Sequence, residues 1–153
     1  MHCVTSSIFF PTFNAQTWLS DTCKRRLLQF KGYMDLIMYV AGGCPPLLPE
    51  ELSNYVPVKQ ATGETGWKDI FTRLFQFPDD GHAVKLARAL ANAEQISKAY
   101  EAEEWAMLKG PLWETIGNIA VDSVEDAGRN WLRGAGFEEA WAGFEDRPRP
   151  SRL

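Results

Sequence analysis

Three residues have side chains of the kind that could do chemistry: His2, His82 and Lys109. Neutral imidazole serves both as a metal ligand and as a general base near pH 7, and His2 and His82 are the only two histidines of the 153 residues. His82 follows the turn Pro78-Asp79-Asp80-Gly81. Either aspartate there could cap the free amides of a following helix or hold the imidazole in one orientation. A histidine at a helix start more often caps or faces water; a ligand or catalytic role is the sharper alternative. His2 opens the chain, and its separation from His82 matches no compact metal template such as H-x-x-x-H. Lys109 lies among Trp105, Met107, Leu108 and Trp113, so its stem is expected on apolar surface with the amine reaching water. The alternative is desolvation, which favours the neutral amine. A neutral amine can act as a base, or take up CO2 to give a carbamate able to bind a hard metal ion. We expect the three residues to face a shared site on an all-α scaffold, of which this chain holds only part.

Only packed helices could bring such distant groups together. His82 and Lys109 are 27 positions apart, roughly 40 Å along an unbroken helix at about 1.5 Å per residue. Val84, Leu86, Ala87, Leu90, Ala91, Ala93 and Ile96 recur at helical spacing after His82. A reversal over residues 97–103 would make an αα-hairpin and bring His82 and Lys109 together, although no Gly or Pro there marks the break. Pro111 then begins or kinks a helix with Ile116, Ile119, Ala120, Ser123 and Val124 on one face.

Upstream, residues 2–10 read as a helix ended by Pro11; β-branched Val4, Thr5 and Ile8 leave a strand as the alternative. As a helix, this segment puts His2 on one face with Ser6 and Phe9. Residues 14–20 form a connection, and Ser20 or Asp21 caps a long helix with apolar positions at Cys23, Leu27, Leu28, Phe30, Met34, Ile37, Met38 and Val40. Gly42-Gly43 and Pro45-Pro46 stop it. Gly32 within it costs about 1 kcal/mol against alanine, which close packing of a neighbour would explain. Residues 49–52 suit a single helical turn and 56–64 a surface loop, while Trp67, Ile70, Phe71 and Leu74 mark a short amphipathic helix ending at Pro78. Residues 126–133 are expected as a loop around Trp131, and 137–144 as a short closing helix. Strand alternation is missing. The fold class is all-α, an irregular multi-helix assembly over residues 1–146 with a disordered tail at 147–153.

Composition narrows the function classes. The apolar fraction is 45%, with six Trp and nine Phe, enough to build a core and unlike a disordered chain. Net charge is −4 and the basic residues are scattered, with one short run at Lys24-Arg25-Arg26. Binding to a phosphate backbone needs a concentrated basic surface, so nucleic acid is not an expected partner. Cys3, Cys23 and Cys44 are an odd, widely spaced set with no C-x-x-C pair, which suits a reducing compartment. No run approaches the roughly 20 apolar residues that span a bilayer, and no basic leader precedes Ile8-Phe9-Phe10. A cytoplasmic protein with no membrane partner is expected.

Other motifs are decoys. Gly134-Ala135-Gly136 looks like the start of a dinucleotide fingerprint but follows no strand and leaves too little chain for a βαβ unit. Ser6-Ser7 lacks a local base and a G-x-S-x-G elbow. Glu103-Glu104, with Glu101, reads as a solvated helix face; a helical enzyme using Glu103 or Glu104 as its base is a rival hypothesis.

Six blocks, spaced in order from one end of the chain nearly to the other, stand out: residues 2–10 (HCVTSSIFF), the helix end from Lys31-Gly32-Tyr33 to Gly43, Pro78-Asp79-Asp80-Gly81-His82, residues 108–113 (LKGPLW), Asp122-Ser123-Val124-Glu125, and residues 131–141 (WLRGAGFEEAW). Together they resemble the questin oxidase-like family of fungal secondary-metabolism enzymes. The resemblance implies a mainly helical enzyme that opens the ring of an anthraquinone- or xanthone-type aromatic polyketide, by Baeyer–Villiger-like oxidation or dioxygenation. It implies NADPH as a cosubstrate, and a non-haem Fe(II) site using histidines and a modified lysine. On that analogy His2, His82 and Lys109 are the metal ligands to carry across. It also implies that this chain is the C-terminal portion of a longer protein, with further histidines supplied by an N-terminal portion or complementary chain. The alternative is a catalytically inactive helical remnant acting as a binding module.

Overall fold

In the computed structural model the described residues are 1–59, 65–125 and 132–144, and every regular element among them is helical. The first seven residues carry α1 (His2–Ser7), and a break at Ile8 and Phe9 separates it from α2 (Phe10–Ala15). The single helix expected over 2–10 is thus two. Pro11 sits in the first turn of α2, where its missing N–H costs nothing. That placement draws Asn14 and Ala15, expected in the connection, into the helix.

The long helix α3 (Asp21–Ala41) starts where the Ser20 hydroxyl accepts the Cys23 N–H at 3.3 Å. It ends where the Gly42 amide bonds the Met38 carbonyl at 3.0 Å and Gly43 turns the chain with φ +82. None of its residues is buried. The single turn α4 (Pro49–Ser53) and the amphipathic α5 (Gly66–Gln76) follow. The helix after the Asp79-Asp80 turn is α6 (His82–Ser97), and a 3-10 turn at Lys98–Tyr100 begins the expected reversal. The chain returns as α7 (Leu112–Glu125), packed on α6.

The core lies where α5, α6 and α7 meet. Ile70 and Leu74 pack with Ala83, Ala87, Val121 and Val124, and a second cluster joins Leu90, Trp113 and Ala120 to Val4 of α1. Each fully buried Val, Leu or Ile contributes about 1.5–3 kcal/mol. The buried stripe of α7 is Trp113, Gly117, Ala120, Val121 and Val124, a step round from the expected face through Ile116 and Ile119. Gly117 decides this. A Cβ there would lie 2.8 Å from both Ile70 Cδ1 and Trp67 Cζ3, so the α7 backbone approaches α5 where only glycine fits.

One polar knot sits beside the core. Arg73 of α5 is 6% exposed and donates to Asp122 and to Glu125 at 2.9 Å, with Asp69 a turn away at 4.0 Å. It also reaches the Lys59 carbonyl at 2.9 Å, while Tyr55 and the Val58 amide donate to Asp122 at 2.5 and 2.9 Å. These bonds fasten the segment after α4 to α7.

The last described residues return to the C-terminal end of α3. Gly136 lies against the Ala41 carbonyl so closely that a side chain would collide with it, and Trp141 Nε1 donates to the Ala135 carbonyl at 2.8 Å. Gly136 thus serves this backbone approach, while Gly134 takes φ +70 in the turn before it. The expected closing helix is a single 3-10 turn, Glu138–Trp141. Residues 126–131, the expected loop around Trp131, and the tail lie outside the described residues. Among the described residues no helix is long and apolar enough to cross a membrane.

Candidate functional site

The start of α6 positions the first candidate. Gly81 takes φ +87, a left-handed conformation that favours glycine, and turns the chain into the helix. Asp79 accepts the N–H groups of Gly81 at 2.7 Å and Ala83 at 2.8 Å, so it caps α6. Asp80 takes the other role: its carboxylate bonds Nδ1 of His82 and orients the ring. That bond, more than any other influence, holds the Asp80 carboxyl below its ordinary pKa. Two adjacent aspartates thus divide the two tasks that the sequence left open between them.

His82 and Asp80 line a cavity of about 780 Å³ whose other walls come from Met1, His2 and Cys3, the end of α3 at Met38 and Tyr39, and residues 132–135 with Trp141. The helix start of α1 and the helix start of α6 are thereby joined across 80 positions of chain, and the only two imidazoles share one cavity. Arg133 supplies a cation to the same wall. Sequence reasoning missed it because it fell in a segment read as loop.

A second cavity, of about 630 Å³, opens on the other side of α1. It is lined by Phe9, Phe10 and Phe30, by Leu27, Met34 and Met38 of α3, and by Lys31, Asp35 and Lys85. Its size falls in the roughly 300–1,000 Å³ range of small-molecule pockets, and its walls are mainly apolar with a few polar groups. His2, Cys3 and Met38 line both cavities and form the partition between them. The stripe Leu27, Phe30, Met34, Met38 runs at helical spacing, so the signal for this wall is present in the sequence.

Lys109 stands elsewhere. Glu101 accepts the Gly110 N–H at 2.9 Å and closes the turn after α6, which leaves Lys109 exposed with Nζ donating to the Glu103 carbonyl at 3.2 Å. It is not among the residues lining the cavity of His2 and His82. Trp105 and Met107, expected to cover its stem, are themselves exposed. Glu101, Glu103 and Glu104 lie in turns and not on a helix face.

A profile of the questin oxidase-like family matches residues 1–90. The chain belongs to that family. An oxidoreductase of Aspergillus parasiticus is 43% identical over 134 residues, which are 87% of this chain and 26% of that protein. A Baeyer–Villiger oxidase of Emericella nidulans is 36% identical over 147 residues (95% of this chain, 32% of the relative). A questin oxidase of Aspergillus fumigatus is 35% identical over 149 residues (93% and 32%). This questin oxidase-like chain therefore spans about a third or less of the curated relatives it matches.

The non-haem iron site expected of such a chain can be tested on its donors. A non-haem iron oxygenase site uses three protein donors, such as two histidines and a carboxylate, with open positions for oxygen and substrate. Two imidazoles line the cavity here, Asp80 is engaged by His82, and Lys109 is outside it. Among the described residues no group of three or more His, Cys, Asp or Glu side chains is arranged to hold a metal ion. The residues present therefore do not fit a whole iron centre.

Proposed function

We propose that this chain forms part of the substrate-binding wall of a questin oxidase-like oxygenase, one that oxidatively opens the ring of an anthraquinone- or xanthone-type aromatic polyketide. The observation that carries this is the position of His2 in the partition between the aromatic pocket and the cavity of His82. A flat polyketide stacked among Phe9, Phe10 and Phe30 would lie with one edge at that partition. His2 and His82 would face the reacting end, with Asp80 holding the His82 ring. Fe(II) and NADPH are the proposed cofactors of the complete enzyme, and the donors lacking here would come from the polypeptide this chain does not span, its N-terminal portion. Lys109 joins such a site only if assembly encloses it.

Anaerobic titration with ferrous iron tests the metal-facing role. We expect weak binding by the unchanged chain and a loss of about tenfold or more in His82→Ala and in His2→Ala, in line with ligand or supporting-residue losses at metal sites. Quenching of tryptophan fluorescence by a hydroxyanthraquinone tests the pocket, with Phe30→Ala expected to weaken binding while His82→Ala does not. Equal and negligible iron binding in all three chains would leave the second reading, a catalytically inactive helical remnant serving as a binding module. The exposure of Lys109 and the two-imidazole donor set favour that alternative.

A further inference from the structure

We propose that the face of α3 around Gly32 is the seat of a helix from the remaining questin oxidase-like polypeptide, the part of the family's length that this chain does not supply. α3 has 21 residues and no buried one. Val40 is 65% exposed, Leu36 64% and Phe30 61%, and Leu28, Tyr33, Met34, Ile37 and Met38 are exposed as well. At 100° per residue these side chains, from Leu28 to Val40, point to most sides of the helix; Lys24, Lys31 and Asp35 form one polar strip, the last two paired to each other, and Arg25, Arg26 and Gln29 wet the N-terminal half. A helix whose C-terminal two-thirds shows apolar side chains on most sides is one that larger proteins bury.

Gly32 gives that face its geometry. It stands near the middle of α3, and a Cβ built on it meets nothing within 4 Å. It therefore carries the conformational cost of a mid-helix glycine without any close contact in this chain to justify it. Leu28, Tyr33, Leu36, Tyr39 and Leu47 surround it as an open groove. Glycine flanked by large apolar residues is the pattern by which two helix backbones approach closely.

The occupant follows from extent. A second copy of this chain, related by twofold symmetry, would cover one stripe of α3, and a stripe is roughly 100° wide. Leaving aside Phe30, Met34 and Met38, which line the proposed substrate pocket, Leu28, Tyr33, Leu36, Ile37 and Val40 still take up roughly 180° of the circumference. The relatives, of which this chain spans 26–33%, hold two to three times as much further polypeptide with which to surround it. The proposal rests on family membership and deepens the oxygenase reading by naming the joint, yet its readout is assembly and not activity.

The test is to co-express this chain with the portion of the Aspergillus parasiticus oxidoreductase outside the matched 134 residues, then measure complex formation by co-purification and sedimentation. A one-to-one complex is expected, weakened at least tenfold by Gly32→Leu and by Leu36→Glu, and unaffected by His82→Ala. Gly32→Ala, tested on the chain alone, should raise its Tm, which shows that a side chain at this position does no harm to the fold. Absence of a complex with the unchanged chain, or a complex indifferent to Gly32→Leu, overturns the proposal. So does a homodimer that Gly32→Leu dissociates, because the face would then belong to a second copy. A complex that binds no iron would remove the oxygenase reading and leave this one standing.

Discussion

Arg73 and the carboxylates around it show how single residues set the stability of this chain. Burial works against the Arg73 charge, but its bonds to Glu125 and Asp122 outweigh that and keep the guanidinium firmly protonated. Burial alone would lift the Asp122 carboxyl; the hydrogen bonds from Tyr55, the Val58 amide and Arg73 more than offset this and hold it below its ordinary value of 3.8. A carboxyl depressed in the folded state stabilises the fold above its unfolded pKa, and that contribution is lost as pH falls through the lower folded value. Asp122→Asn should therefore flatten the acid limb of the stability curve below about pH 4. At neutral pH, Asp122→Asn leaves Arg73 with Glu125 and Asp69 and should cost about 1–3 kcal/mol. Arg73→Met strands three carboxylates around an apolar side chain and should cost more, about 3–5 kcal/mol. Urea denaturation at pH 7 and at pH 3.5 checks the order and the slope; equal losses for the two variants would contradict the geometry.

Two helices carry a glycine near the middle, and one substitution should act on them with opposite sign. Gly32→Ala in α3 meets open space and gains about 1 kcal/mol of helix propensity. Gly117→Ala in α7 gains the same propensity but drives a methyl into Ile70 and Trp67, an overpacking cost of about 1–3 kcal/mol. Thermal unfolding should thus place Gly32→Ala above the parent and Gly117→Ala at or below it. The sequence marked Gly32 as costly and suggested a close neighbour for it, and it gave no such signal for Gly117. It could not say that the neighbour of Gly117 lies within this chain while Gly32 has none here.

Taken as a whole, the molecule joins a packed layer to an exposed outrigger. α5, α6 and α7 share the buried core with α1, whereas α3 touches mainly α1 and α2 and buries nothing. Regions with few buried apolar contacts open at low free energy. Hydrogen exchange of the isolated chain should show α3 amides exchanging well before those of α5–α7, and the proposed partner should slow α3 selectively. Uniform protection across both regions would mean that α3 is covered in solution by something other than that partner.

The amino-acid sequence alone determined the all-α class, most helix bounds, a cap at Ser20 or Asp21, and the stop at Gly42-Gly43. Each depends on local periodicity, capping chemistry or backbone restriction, which act within a few residues. The six ordered blocks also pointed to the questin oxidase-like family. Only the tertiary structure decided which aspartate caps α6 and which holds His82, that His2 and His82 share a cavity, and that Lys109 stays outside it. The break between α1 and α2, the rotation of the buried face of α7, and the use of Gly136 against Ala41 were likewise settled by packing. Contacts between residues tens of positions apart depend on how helices cross, and crossing is fixed by side chains meeting in three dimensions, which a one-dimensional pattern does not encode.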